Sequence, residues 1–160
     1  PQRAYFGQKD AQQAIVIQRM VRDLLLPVEI VVCPTVREPD GLAMSSRNRY
    51  LSADERRSAT VLYRALCAAS AAFEAGERDA ERLRQVMREV LGSEPKASPH
   101  YISVADGQTL EELDGRVERG LLSMAVAIGA TTLIDNVVVG DGPVKMESGA
   151  SGRQQVASSR

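Results

Sequence analysis

The sequence predicts the end of a doubly wound α/β sheet, followed by a small α+β domain with an antiparallel sheet. Residues 4–33 alternate strand, helix and strand, which is the repeating unit of a parallel sheet. After residue 50, helical segments precede a cluster of strand-like segments, an order typical of an α+β domain. We expect a domain boundary near residue 35, a second domain over 36–139, and a disordered tail over 140–160, where Gly, Ser and polar residues dominate.

The first strand and the start of the first helix are marked by short signals. Ala4 to Phe6 is typical of a strand end, and Gly7 suits the turn that follows it. Asp10 is then the predicted N-cap of a helix, and Gln13 lies at the spacing of a capping box. We expect this helix to extend to Leu26.

Apolar periodicity defines the rest of this unit. Side chains that recur at helical spacing predict the buried face of the helix: Ile17, Met20, Val21, Leu24 and Leu25. Pro27 ends the helix because it cannot continue the hydrogen-bonding pattern. The next segment, Glu29 to Cys33, has the nearly continuous apolar character of a buried parallel strand.

The second domain is predicted from caps, glycines and alternating strands. Ser52 and Glu55 form a capping box, and the helix that they begin is expected to reach Ala75. A second helix over about 79–91 has one apolar face, formed by Leu83, Val86, Met87 and Val90. Strands follow at 101–104, 121–128 and 132–139, with a hairpin turn at 129–131.

Composition limits the partners that the chain can attract. The net charge is −1, so no overall field draws it to nucleic acid or to anionic lipid. Arginines alternate with acids between residues 78 and 88, which indicates an exposed, salt-bridged helix face. No apolar run approaches the length of a membrane span. We therefore expect no nucleic-acid or membrane partner, and a cytoplasmic protein in which Cys33 and Cys67 are small buried hydrophobes.

The polar segment 34–50 is the strongest candidate for a binding loop. Ser45 and Ser46 offer hydroxyl donors, and Arg47 offers a planar fork that suits phosphate oxygens. Arg37 and Arg49 are less specific, because each could equally pair with a neighbouring acid, Glu38 or Asp54. An ordinary polar connection is the alternative, although a structured loop of about sixteen residues is more often functional.

Lys9 is the second candidate because of its place between a strand end and a helix start. Free backbone N–H groups and the helix dipole favour an anion there, and a lysine can hold a phosphate as a point charge. The alternative is a solvated lysine beside Asp10, which would then be only a cap. His100 is the only histidine, so the chain cannot form a di-histidine metal site, and we expect it at a strand edge. The acids at 111–114 are expected to be a solvated turn.

Taken together, these segments resemble the pantothenate synthetase (pantoate–β-alanine ligase) family. The resemblance is carried by residues 6–13, 27–30, 34–49, 51–52 and 129–136. Its most specific part is the run Met44-Ser45-Ser46-Arg47-Asn48. The resemblance implies that residues 1–35 are the last strand–helix–strand of a Rossmann-like nucleotidyl-transferase domain that binds ATP. It also implies that residues 36–139 are the C-terminal lid domain.

The resemblance further implies an ATP-dependent condensation of pantoate with β-alanine, which releases AMP and pyrophosphate through a pantoyl-adenylate. Gly7 and Asp10 would approach the ATP ribose, and Val36 would lie beside the adenine. The residues implied on the phosphates and in catalysis are Lys9, Ser45, Ser46 and Arg47, with Met44 next to them. Gln13 would hold pantoate. Mg²⁺ is expected on the phosphates, held mostly by nucleotide and water, with no protein residue assigned to it.

One part of the family pattern is missing from this sequence. The family's His-x-Gly-His phosphate motif is absent, since His100 is the only histidine, and the chain does not begin with Met. We therefore expect the C-terminal part of a longer ligase that is inactive alone. Two alternatives stay open: a non-catalytic lid or self-association module, which could be a homodimer, and another nucleotidyl transferase with the same phosphate loop.

Overall fold

A computed structural model of the chain describes residues 1–140, so the predicted tail beyond Gly140 lies outside the described residues. The strands are β1 (Arg3–Gly7), β2 (Glu29–Cys33), β3 (Ala97–Ala105), β4 (Gly120–Ile128) and β5 (Thr131–Val139). The α-helices are α1 (Ala11–Asp23), α2 (Ala53–Ser58), α3 (Val61–Glu74) and α4 (Ala80–Gly92). Short 3₁₀ helices lie at Gln8–Asp10 and Ser46–Tyr50. Across residues 1–140, none of the helices has the length and apolar character needed to cross a bilayer.

The strands form two separate sheets. β1 and β2 are parallel, in a register that pairs Arg3 with Glu29 and Gly7 with Cys33. β3, β4 and β5 form an antiparallel sheet in that order, and a tight turn at Gly129 joins the last two strands. The parallel pair and the antiparallel sheet are therefore confirmed, whereas the Rossmann-like assignment and the domain boundaries stay predictions.

The first helix differs from its predicted extent and face. α1 ends at Asp23 rather than Leu26, because Leu25 adopts a left-handed backbone with φ of 52°. The buried side chains of α1 are Ala14 and Ile15, whereas Met20, Leu24 and Leu25 of the predicted face are exposed. The predicted face is therefore only partly right: Ile17 and Val21 are half-buried, one and two turns after Ala14, whereas the residues toward the C-terminus are exposed.

The prediction that β2 is a fully buried strand is also wrong within the described residues. Only Val32 of β2 is buried, and Cys33 is half-buried. A two-stranded sheet covers little of either strand, so its apolar side chains stay partly accessible. Cys67 on α3 is exposed, so neither cysteine is the buried hydrophobe that we expected.

The second part of the chain has its own aliphatic core between α3, α4 and the antiparallel sheet. Its largest fully buried side chains include Leu62, Leu66, Leu83, Met87, Leu91, Leu122, Met124 and Ile128. The predicted capping box is present, with Glu55 N donating to Ser52 Oγ and Ser52 N donating to Glu55 Oε2. The long predicted helix is divided into α2 and α3 at Ala59, which is fully buried.

Arg84 corrects the prediction that the whole arginine-rich helix face is exposed. It is only 7% exposed, and its guanidinium donates to Glu112 Oε2 at 2.8 Å and to the Leu113 carbonyl oxygen at 2.5 Å. Burial is the largest single influence and lowers the Arg84 pKa, but the hydrogen bonds and charges of Glu112 and Glu81 together outweigh it, so the pKa is raised. The acidic turn at 111–114 therefore anchors α4 through Glu112 and is not simply solvated.

Candidate functional site

The 3₁₀ turn Gln8–Asp10 connects β1 to α1 and exposes the predicted anion-binding helix start. Asp10 Oδ1 accepts a hydrogen bond from Gln13 N at 3.1 Å, so the carboxylate caps α1 as the sequence predicts. The main-chain oxygens of Gln8 and Lys9 both accept from Asn136 Nδ2, each at 2.9 Å. The turn is therefore attached to β5 through one side-chain amide.

The polar segment after β2 forms a short hairpin. Glu38 N donates to the Leu42 oxygen at 2.8 Å, and Met44 N donates to the Val36 oxygen at 2.9 Å. Gly41 lies at the tip with φ of 91°, a conformation that favours glycine. Val36 and Met44 are brought side by side and are 65% and 52% exposed. The hairpin thus presents two neighbouring apolar side chains at its open end.

Arg37 pairs with neither acid that the sequence suggested. Its guanidinium contacts Asp135 through Nη1–Oδ2 at 2.6 Å and Nη2–Oδ1 at 2.9 Å, and Nη1 donates to the Gly41 oxygen at 3.1 Å. It also lies 4.1 Å from the centre of the Tyr63 ring. Burial is the largest single influence and lowers the Arg37 pKa, but the hydrogen bond and charge of Asp135, with Tyr63 and Cys67, together raise it more, so the net shift is upward. Arg37 therefore fixes the hairpin from inside.

The tip of the hairpin has a second attachment, through Asp40. Its carboxylate accepts from Arg56 Nη1 at 2.7 Å and from Nη2 at 3.1 Å, and Oδ1 also accepts from Leu42 N at 3.2 Å. These partners, Arg56 first, hold the pKa of Asp40 below its usual range. Arg49, in contrast, contacts its neighbour Tyr50 by a hydrogen bond of 2.7 Å and a ring contact of 4.9 Å.

The serine–arginine run lies directly after the hairpin. Ser45 Oγ accepts from Arg47 N at 3.2 Å and so caps the 3₁₀ helix Ser46–Tyr50. Ser46 and Arg47 are exposed, and Arg47 Nη1 donates to the Thr132 oxygen of β5 at 3.4 Å. Both candidate segments, the turn at 8–10 and the run at 45–47, therefore contact the same strand.

A cavity of about 460 Å³ lies where these segments meet the antiparallel sheet. Lys9 and Asp10 line it from the turn and Arg47 lines it from the loop. The lining residues that sequence reasoning missed include Tyr101, Ser103, Glu112, Ser123 and Asn136. The remaining predicted site residues do not line this cavity: Gly7, Gln13, Val36, Met44, Ser45 and Ser46. Gln13 is exposed on α1.

The charge in this cavity is mixed. Lys9 and Arg47 are the cations on its wall, and the acids there are Asp10, Glu112 and Asp135, the last of which is paired with Arg37. Burial and the nearby charge of Asp10 raise the pKa of Tyr101, so its hydroxyl stays protonated at neutral pH. Within residues 1–140, no three His, Cys, Asp or Glu side chains cluster closely enough to hold a metal ion. A larger cavity of about 800 Å³ between α1 and β2 contains none of the predicted site residues.

Comparison with known proteins identifies the family. A family model described as Pantoate-beta-alanine ligase matches residues 1–138. The chain belongs to the pantoate–β-alanine ligase family. The resemblance seen in the sequence is therefore confirmed over both parts of the described structure.

Named relatives agree with this membership. The pantothenate synthetase of Roseiflexus castenholzii (strain DSM 13941 / HLO8) is 62% identical over 139 residues, which are 87% of this chain and 50% of that protein. The crystal structure of pantothenate synthetase from Thermus thermophilus matches with a TM-score of 0.81 and 44% identity, over 86% of this chain and 49% of that one.

A third ligase was crystallised with ligands. The pantoate–β-alanine ligase from Francisella tularensis, complexed with beta-gamma ATP and β-alanine, matches at 30% identity with a TM-score of 0.57. The match covers 86% of this chain and 44% of that one. The chain thus spans about half the length of the relatives that it matches.

Proposed function

We propose that these residues form the phosphate-binding side of an ATP-dependent ligase that joins pantoate to β-alanine and releases AMP and pyrophosphate. The observation that carries the proposal is the meeting of Lys9, Asp10 and Arg47 at one cavity in a member of this family. Lys9 comes from the turn after β1, whereas Arg47 comes from the loop after β2. Two segments that are separate in the sequence therefore each contribute one cation to the wall of the same cavity.

The proposed chemistry has two steps. A pantoate carboxylate oxygen bonds to the α-phosphorus of ATP, the bond from that phosphorus to the bridging oxygen breaks, and its electron pair leaves with pyrophosphate. The amine of β-alanine then attacks the carbonyl carbon of pantoyl-adenylate, AMP departs, and the amine loses a proton. Charge develops on phosphate oxygens in the first step, so fixed cations and donors lower its barrier. Lys9, Arg47 and the hydroxyls of Ser45 and Ser46 would supply them.

The rest of the nucleotide would extend from this cavity toward the hairpin. Val36 and Met44 form an exposed apolar pair whose backbones are hydrogen-bonded, which suits the flat face of adenine. Gly7 and Asp10 would lie beside the ribose. Gln13 is proposed to hold pantoate on the exposed side of α1, outside the cavity wall.

Mg²⁺ fits this arrangement as an ion carried by the nucleotide. It favours oxygen ligands and keeps several waters, so it needs few protein carboxylates. Asp10 is the acid of the helix start that shares the cavity with Lys9 and Arg47, and it would contribute the protein oxygen or hold a bound water. When bound, the ion would neutralise phosphate charge.

We further infer that this chain, which spans about half the length of its relatives, does not turn over alone. The sequence has His100 as its only histidine and so lacks the family's His-x-Gly-His motif. His100 lies on edge strand β3, where Nε2 is 3.2 Å from Thr132 Oγ1. The phosphate contacts that the missing motif supplies in the family would have to come from elsewhere.

The deciding experiment measures AMP release from ATP, with pantoate and β-alanine each present or omitted. Release that needs both substrates would establish the ligase reaction and refute the inferred inactivity. If the chain binds ATP without releasing AMP, and Lys9→Ala and Arg47→Ala each weaken that binding, the phosphate-binding side is supported. Turnover would then require residues that this chain does not contain. ATP binding that neither substitution weakens would contradict the proposed site.

Self-association is a second candidate function, and the exposed apolar surface of residues 1–33 favours it. Leu24, Leu25 and Leu26 are 64%, 88% and 41% exposed beside the open parallel sheet. Sedimentation at several protein concentrations tests this candidate. A size that rises with concentration, and that Leu25→Ser lowers, would support a homodimer, whereas a constant monomer would refute it.

A further inference from the structure

Two consecutive polar residues interrupt the apolar strand β5. Asp135 is 2% exposed and Asn136 is 3% exposed, between Leu133 and Val139, which are also buried. Consecutive residues of a strand point to opposite faces, so the two side chains reach different segments. Asp135 contacts the hairpin through Arg37, and Asn136 contacts the turn at 8–10.

Both side-chain hydrogen bonds of Asn136 are donated to the turn at 8–10. Nδ2 donates to the main-chain oxygens of Gln8 and Lys9, while Oδ1 is buried without a hydrogen-bond partner among the described residues. A buried unpaired oxygen is unfavourable, so this residue does not serve the stability of the strand alone. Its two hydrogen bonds join β5 to the 3₁₀ turn that precedes α1.

Asp135 performs the corresponding task for the hairpin. Both of its oxygens accept from Arg37, and Arg37 in turn donates to the Gly41 oxygen at the hairpin tip. Oδ1 also accepts from Asn136 N at 2.8 Å, which links the two residues. One dipeptide therefore contacts both the turn that carries Lys9 and the hairpin that precedes Arg47.

We propose that Asp135 and Asn136 are positioning residues that fix the separation of the two phosphate-binding segments. This inference rests on the proposed function for its ligand, but the positioning itself is a property of the free chain. Asn136 holds the turn that carries Lys9. Asp135, through Arg37, holds the hairpin that leads to Arg47.

Amide hydrogen exchange of the ligand-free chain tests the positioning. Asn136→Asp replaces the donor by a carboxylate that repels two carbonyl oxygens, so exchange at residues 9–13 should rise about tenfold over wild type at about pH 8. Facing oxygens and burial raise the pKa of the introduced carboxyl, and its protonated form donates one hydrogen bond. The ratio to wild type should therefore fall at about pH 5, an acid rescue that a general loss of stability would not produce.

Two further variants separate local from global effects. Asn136→Leu removes the donor and the unpaired oxygen while keeping the shape, so it should loosen residues 9–13 without lowering the global stability. Asp135→Asn should instead speed exchange at residues 38–44 and leave residues 9–13 protected. Gln85→Glu makes the same amide-to-acid change at a half-buried position of α4, where the side chain contacts Glu89 and Arg88, and should alter neither segment. Equal loosening of both segments by either variant would overturn the proposal.

An ATP titration separates this inference from the proposed function. If wild type binds ATP through Lys9 and Arg47, Asn136→Leu, which adds no charge to the cavity that Asn136 lines, should weaken binding about tenfold, and Gln85→Leu should not. Unchanged affinity in Asn136→Leu would overturn the positioning role while the proposed function stands. If wild type does not bind ATP, the phosphate site fails in this chain. Hydrogen exchange alone then decides whether Asn136 holds the turn.

Discussion

Arg37 and Asp135 form a two-point ion pair that joins the hairpin to the last strand. The guanidinium nitrogens lie 2.6 and 2.9 Å from the two carboxylate oxygens, and the carboxylate is almost completely buried. A buried pair of this kind adds little net stability, because desolvation offsets the attraction. Removing one partner, however, leaves an uncompensated charge inside the protein.

Asp135→Ala should therefore lower the free energy of unfolding by about 3 kcal/mol. Urea unfolding followed by circular dichroism measures the change. Asp114→Ala is the matched control: its side chain is 98% exposed and only 4.0 Å from Arg84, which keeps its nearer partner Glu112, so the variant should unfold like wild type. If Asp135→Ala and the control behave alike, the carboxylate is not the anchor that we describe.

Gly41 is required by both its backbone and its neighbour. A Cβ at this position would overlap the Tyr63 ring, with ring carbon Cε1 at only 2.7 Å, and φ of 91° is already strained for other residues. Gly41→Ala should lower the free energy of unfolding by about 3 kcal/mol, since overpacking adds to backbone strain.

The control for this glycine is Gly92 at the end of α4. A Cβ there meets nothing within 4 Å, and its φ is not positive, so Gly92→Ala should stabilise the protein by about 0.5 kcal/mol. Thermal unfolding of both variants compares them directly. Equal midpoints for the two would mean that the hairpin tip adapts freely.

Local signals predicted the elements better than the contacts between them. The bounds of β2, the extent of α4 and the turn at Gly129 follow from strand composition, helical apolar spacing and a glycine. The end of α1 was missed because the leucines at 24–26 extend the apolar pattern beyond the residue that leaves the helix.

Sequence reasoning named the candidate cations of the site but not the residues that support them. Lys9 and Arg47 were recognised from residue type and loop position, and the structure places both at one cavity. The partner of Arg37 lies 98 positions along the chain, and no local pattern reports such a contact. The polar pair Asp135-Asn136 within an apolar strand was the available signal, because buried polar groups normally have partners.

Lys9 and Arg47 should each be needed for phosphate binding. Lys9→Ala and Arg47→Ala remove one cation from the cavity, and each should weaken ATP binding about tenfold while the circular dichroism spectrum is unchanged. In a full-length ligase that contains these residues, turnover should fall on the order of a hundredfold. Isothermal titration and the AMP-release assay measure the two effects.

Matched controls exist for both substitutions. Lys96→Ala removes an exposed lysine that pairs with Asp54, and Arg64→Ala removes an exposed arginine of α3, neither of which lines the cavity. Both controls should bind ATP like wild type. Equal losses in the controls would reveal a non-specific charge effect, and no loss in Lys9→Ala or Arg47→Ala would place the phosphate site elsewhere.

Stability should decrease in acid because several carboxyl groups titrate below their usual range. Arg56 lowers the pKa of Asp40, Lys96 lowers that of Asp54, and the Ser52 backbone lowers that of Glu55. A lowered pKa means that the unfolded chain binds more protons than the folded one in this range. The stabilising contribution is complete above the unfolded pKa values of about 4 and disappears as the pH falls through the lower folded values.

Urea unfolding from about pH 7 to about pH 3 should therefore show stability that is level near neutrality and decreases below about pH 4.5. Asp40→Asn removes one of these groups, so its stability should depend less steeply on pH and should meet that of wild type in acid. Glu74→Gln removes an exposed acid of α3 and should leave the acid decrease unchanged. A wild-type stability that rises as the pH falls would reverse the expected sign and show that repulsion among the acids, rather than their hydrogen bonds and ion pairs, dominates.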